Sequence, residues 1–175
     1  MKRLNIVILA LFLLAFVTVT TNAQKKSTRK TTTKKTTATK IIPPLAVRTA
    51  REKVDIQLAN VNQFVDLLGP IAQGIEDIET AAKTKPLPKT TADKNAANKQ
   101  NVIAAIRNLK TALSTLESEF RTKLELKKYL INIQGITDLA ADSEDSAIAG
   151  KFVAAKEPLR EVSKKLTDTL AAMPR

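Results

Sequence analysis

Carboxylates are the groups in this chain best placed to do chemistry, because the sequence contains neither histidine nor cysteine. That excludes Ser–His and Cys–His nucleophilic machinery, thiolate and structural zinc sites, and the histidine-ligated haem of exported helical bundles. Asp142, Glu144 and Asp145 could offer oxygen ligands to Ca²⁺, but they lack the alternating spacing and central glycine of a strong calcium loop. Their simpler reading is a solvated acidic loop, Asp142-Ser143-Glu144-Asp145-Ser146, whose charge favours the start of the following helix. Glu76, Asp77 and Glu79 read as the wet face of a helix. Asp77 and Asp138 hold matching places in two similar stretches, IAQGIEDI from Ile71 and NIQGITDL from Asn132. If these echo a duplicated α-hairpin, both aspartates face the interior, where a carboxylate pair could move protons. Tyr129 beside Lys127 and Lys128 suggests either a small binding spot or an aromatic at the edge of the core. The four glycines are isolated and form no phosphate-cradling loop. The sequence therefore predicts no catalytic residue, no metal site and no cofactor, and a protein that is not an enzyme.

The elements that would position these groups are helical. Few glycines, one tyrosine, no tryptophan and abundant Ala, Leu, Lys and Thr argue against a turn-rich β protein. Val54, Leu58, Val61, Val65, Leu68, Ala72, Ile75 and Ala82 recur at three- and four-residue spacing, which predicts a helix over about 45–83. Gly69-Pro70 interrupts the sequence without shifting that phase, so the helix is expected to kink there. Lys85-Pro86-Leu87-Pro88 reads as a loop, with Thr91 or Asp93 as the next N-cap. A second stripe, Val102, Ile106, Leu109, Leu113, Leu116 and Phe120, suits antiparallel packing. The apolar phase then shifts to Leu124, Leu126, Leu130, Ile133, Ile136 and Leu139. That predicts a turn near 116–122, with a Thr122–Glu125 capping box or, alternatively, one long helix with a stutter. Phe152, Ala155, Leu159, Val162, Leu166, Leu170 and Met173 define a last helix, with Pro158 at a kink or in its first turn. The expected fold is all-α: an antiparallel, coiled-coil-like bundle of four helices over residues 43–175, the first one kinked.

Ahead of the bundle stand two segments of different chemistry. Residues 1–23 carry Lys2 and Arg3 before an uncharged apolar run over 6–19, then small residues at Thr21 and Ala23. This is the layout of a cleavable secretory signal, with the cut between Ala23 and Gln24. The apolar run is about 14 residues, short of the roughly 17–25 needed for a spanning helix, so no membrane span is expected after cleavage. No cysteine follows it, which excludes a lipid-modified N-terminus. Export would leave the protein periplasmic or extracellular.

Residues 24–42 form a Lys/Thr-rich linker, expected to be disordered, whose 24–40 stretch has no side chains able to build a core. The formal net charge of the chain is +12, yet 20 basic residues face 17 acidic ones from Ile41 onward. The excess therefore belongs to the N-terminal segments. Lys25, Lys26, Arg29, Lys30, Lys34, Lys35 and Lys40 make the linker a polyanion tether or, more simply, a solubilising spacer. The partners expected are an unidentified protein or an envelope polyanion, or a second copy if apolar stripes exceed a monomer's needs. Nucleic acid is disfavoured by the export signal and by the lack of base-reading motifs beside the tail. The leading expectation is a non-enzymatic, exported binding or scaffolding module of the cell envelope. The alternatives are a polyanion or nucleic-acid binder acting through the tail, and a carrier of a small apolar ligand in the bundle core.

Overall fold

The computed structural model describes residues 43–175. The expected signal segment, the Ala23–Gln24 cleavage site and the seven tail cations from Lys25 to Lys40 lie outside the described residues. Among the described residues the fold is all-helical, with five α-helices, one 3₁₀ segment and no strand. The helices are α1 (Leu45–Thr84), α2 (Lys89–Thr122), α3 (Leu130–Ile133), α4 (Ile136–Ile148) and α5 (Lys156–Ala172), and the 3₁₀ segment is Leu124–Tyr129.

Helix α1 continues through Gly69-Pro70, with the buried stripe Val47, Ala50, Val54, Val61, Leu68, Ala72 and Ile75 holding one phase across it. Pro70 has no N–H for the carbonyl four residues earlier, but packing on either side keeps the helix running. Pro86 and Pro88 then confine residues 85 and 87 to extended backbone, and α2 starts directly after Pro88. Pro88, not Thr91 or Asp93, is therefore the N-cap, and both expected caps lie inside α2.

Helix α2 ends at Thr122, where Lys123 turns to extended backbone without help from glycine or proline. The Thr122–Glu125 capping box does not form; the Thr122 hydroxyl donates back to the Ser118 carbonyl at 2.9 Å. The expected third helix is a composite of the 3₁₀ segment, α3 and α4, which corrects four helices to five. The acidic stretch around Asp142–Ser146 is also not a loop: it is the C-terminal half of α4. Its helix continues because Ala140, Ser143, Glu144 and Ala147 share one buried face at helical spacing. Gly150, at φ +78, supplies the real stop: the Lys151 N–H reaches the Ser146 carbonyl at 2.9 Å, closing a Schellman turn. Phe152 and Ala155 are buried in the turn before α5, and Pro158 falls in the first turn of α5, where its missing N–H costs nothing.

Packing closes a ring in which α1 meets α2, α2 meets α4, α4 meets α5 and α5 meets α1. Cross-links show that these neighbours run antiparallel. Lys53 pairs with Glu119, and Lys99 with Glu79, across α1 and α2. Arg51 Nη1 donates to the carbonyls of Leu170 at 2.5 Å and Met173 at 2.8 Å, placing a cation on the negative end of α5. One core cluster joins Val47, Val54, Leu116, Phe120, Leu126, Tyr129, Ile133, Val162 and Leu166 at the end where α1 begins. A second joins Leu68, Ile75, Ile106, Phe152 and Leu159 toward the other end. Val65 and Leu109 pack against both, so the two clusters share walls.

The two glycines of the sequence echo behave oppositely. Gly74 lies inside α1, whereas Gly135 adopts φ +86 between α3 and α4. The echo therefore is not a structural repeat. Apart from the adjoining chain, nothing lies within 4 Å of where a Cβ would stand at either glycine, so backbone conformation decides the effect of a methyl group. Gly74→Ala is expected to stabilise the fold by about 0.5–1 kcal/mol, and Gly135→Ala to destabilise it by roughly 1–2 kcal/mol. Urea midpoints with unchanged slopes would read both. Shifts of the same sign would refute the assignment of different backbones.

Candidate functional site

Of the acids singled out in the sequence, Glu76, Glu79 and Glu144 are structural fasteners, whereas Asp77, Asp138, Asp142 and Asp145 are exposed. Glu76 Oε1 accepts the Val153 N–H at 2.8 Å and so holds the turn before α5. Asp77 is exposed and accepts from Gln73 at 2.8 Å within α1. Asp138 is exposed too, on α4, which stands diagonally across the ring from α1. The interior Asp77–Asp138 pair is therefore not formed. The duplication that would have turned both inward is broken at Gly135.

Glu144 is buried and takes both Arg107 and Lys110 from α2. The Lys110 ammonium, and after it the Arg107 guanidinium, hold its carboxyl below the usual carboxylate range. Asp142 and Asp145 stay exposed on the same helix. The three acids thus do not converge, and no cluster of three or more potential metal ligands occurs among the described residues. Ser143, fully buried beside Glu144, donates to the Ala155 carbonyl at 2.7 Å and closes the α4–α5 turn.

Tyr129 is buried at the edge of the first core cluster, with Lys128 Nζ 4.9 Å from its ring centre. This is a cation–π contact at the surface. Lys127 stands exposed beside it.

The most organised polar centre is Glu117, a residue that the sequence reading passed over. It lies on α2 next to the buried Leu116, and only 2% of it is exposed. Its carboxylate accepts the Gly135 N–H at 2.9 Å, the Thr137 N–H at 3.1 Å and the Thr137 hydroxyl at 2.7 Å, and it pairs with Arg121. It thus occupies the N-terminus of α4 from a neighbouring helix, doing the work of a cap that α4 lacks in its own sequence. Burial alone would raise the carboxyl. The Gly135 N–H first, then the Thr137 hydroxyl, Arg121 and the Thr137 N–H, overcome that and hold it at about 2.

An open depression of about 360 Å³ lies over this centre, lined by Ser114, Glu117, Ser118, Arg121, Thr137 and Asp138. Its lining is polar, and the helix N-terminus beneath it already holds an anion in the form of Glu117. The missed signal was Glu117 itself, a charge set into the stripe Leu113, Leu116 and Phe120, which marks a partner on another element.

Compared with family models, with curated proteins and with solved structures, this chain matches none.

Proposed function

We propose that the protein is a non-enzymatic, exported helical module that binds or scaffolds in the cell envelope, with residues 24–40 as a basic tether. The observation that carries the non-enzymatic reading is the use made of the shielded carboxylates. Glu117 holds α4, Glu144 takes Arg107 and Lys110, and Glu119 takes Lys53 and Lys123, so all three fasten α2 to a neighbouring helix or to its own terminus. A carboxylate held ionised by such partners is not a proton donor at neutral pH, and each of the three is already committed to holding helices. In this reading the helical domain is a four-membered bundle, closed at one end by the 3₁₀ segment and α3.

The export part of the proposal rests on the charge and apolar layout of residues 1–23. No helix among the described residues is long and apolar enough to cross a membrane. The deciding measurement is the intact mass of the protein from separated cell fractions. A mass beginning at Gln24, outside the cytoplasm, is expected. A full-length mass confined to the cytoplasm would end the export proposal.

A further inference from the structure

The three most exposed large aliphatic side chains among the described residues are Leu124 at 78%, Ile131 at 72% and Leu45 at 70%. All three belong to one end of the bundle, where α1 begins, α2 ends and the 3₁₀ segment packs on both. The register of the 124–133 stretch explains two of them. Leu126, Tyr129 and Ile133 turn inward to the first core cluster, which leaves Leu124, Lys127, Lys128 and Ile131 outward. Leu124, Lys127 and Ile131 follow one another at three- and four-residue spacing along one ridge, with Lys128 adjacent. Lys127 and Lys128 have no carboxylate partner among the described residues, while Lys123 pairs with Glu119 and Glu125 is the one acid of the stretch.

We propose that this end of the bundle seats on an anionic lipid surface, with Leu124 and Ile131 entering the headgroup layer and Lys127 and Lys128 meeting the lipid phosphates. The chemistry favours a lipid surface over the other polyanions. Aliphatic tips beside exposed ammonium groups without a carboxylate partner match an interface that is apolar beneath and negative above. A nucleic acid or a cell-wall polymer would use the lysines and leave Leu124 and Ile131 in water. Firm anchoring by a shallow contact needs a second signal, and the cations of residues 24–40 supply one on the same chain. The inference deepens the envelope reading above and rests on it only for where such a membrane is met.

The chain contains no tryptophan, so one placed at the ridge reports its surroundings alone. Full-length Leu124→Trp is expected to shift its emission to the blue when vesicles of equal parts phosphatidylglycerol and phosphatidylcholine are added. Ile148→Trp, an exposed site toward the other end, should stay unshifted. Co-sedimentation of the Lys127→Gln/Lys128→Gln double variant with these vesicles should fall roughly 25-fold, at about fivefold per lysine, with no change on pure phosphatidylcholine. Leu124→Ser/Ile131→Ser should lose binding on the anionic vesicles by roughly tenfold. These sites are exposed, and unchanged thermal melts would show that the variants fold.

An unshifted Leu124→Trp emission overturns the proposal, even if the protein sediments through its apolar leader. Loss of duplex DNA binding in the lysine variant, with vesicle binding intact, would overturn it in favour of nucleic acid. Cytoplasmic full-length protein would sink the export proposal and leave a positive vesicle result standing.

Discussion

Glu117→Ala is expected to lower the unfolding free energy by about 3 kcal/mol at neutral pH, a large share of the roughly 5–15 kcal/mol typical of a domain. The substitution leaves the Gly135 and Thr137 N–H groups at the start of α4 without their acceptor, and Arg121 without its partner. An ordinary N-cap loss costs about 1 kcal/mol. This one exceeds it because the missing acceptor is charged, buried and serves several donors at once.

The pH dependence provides an independent check. The Glu117 carboxyl is depressed from 4.5 to about 2 in the folded state. Its contribution is therefore fully present above the unfolded value, near 4.5, and is lost as pH falls through about 2. The depression corresponds to roughly 3 kcal/mol, in line with the cost of the truncation. Glu119 and Glu144, also depressed, add to acid sensitivity with the same sign. Urea unfolding of the parent and Glu117→Ala at steps from pH 6 to pH 2 should show the two curves converging. A gap that stays constant across that range would rule out the charged cap.

Phe152→Ala is the second change with a large expected effect, about 3–5 kcal/mol. Phe152 is fully buried, although it lies in the turn between α4 and α5, and it packs in the cluster of Leu68, Ile75, Ala147 and Leu159. Removing the ring leaves a cavity that helix ends tied by Gly150 and by the Ser143–Ala155 hydrogen bond are poorly able to collapse. Because Val65 and Leu109 pack against both core clusters, the loss should be felt throughout the domain as one lowered transition. Hydrogen exchange that weakened Leu68–Ile75 amides while leaving those near Val54 at full protection would show two independent ends instead.

The long helices were legible because hydrophobic periodicity is a strong signal when one face alone is buried. Val54, Val61, Leu68 and Ile75 in α1, and Val102, Ile106, Leu113 and Phe120 in α2, all read inward from spacing and are buried. The reading failed where polar residues line the core. Ser143 and Glu144 made the end of α4 look like a loop, since hydropathy scores them as solvent-facing whatever they bond. Arg107 and Lys110, one turn apart on α2, were the available hint of a buried acid opposite. Gly135 was visible but looked like Gly74; what separates them is the positive φ at Gly135, whose N–H bonds Glu117 on another helix. The candidate site was less legible still. Glu117 and the α4 N-terminus lie 18–20 residues apart in sequence, and the register between two helices decides whether they meet.

The pairing of α1 with α5 has a consequence in time. The Arg51 guanidinium and its acceptor at Leu170 are 119 residues apart. A ribosome adding roughly 5–20 residues per second needs some 6–24 seconds to make the second after the first. Throughout that interval one flank of α1 has no helix to lie against, and the ring stays open. The nascent chain is thus held back from its final form by connectivity alone, long enough for a chaperone to engage it before the last helix arrives.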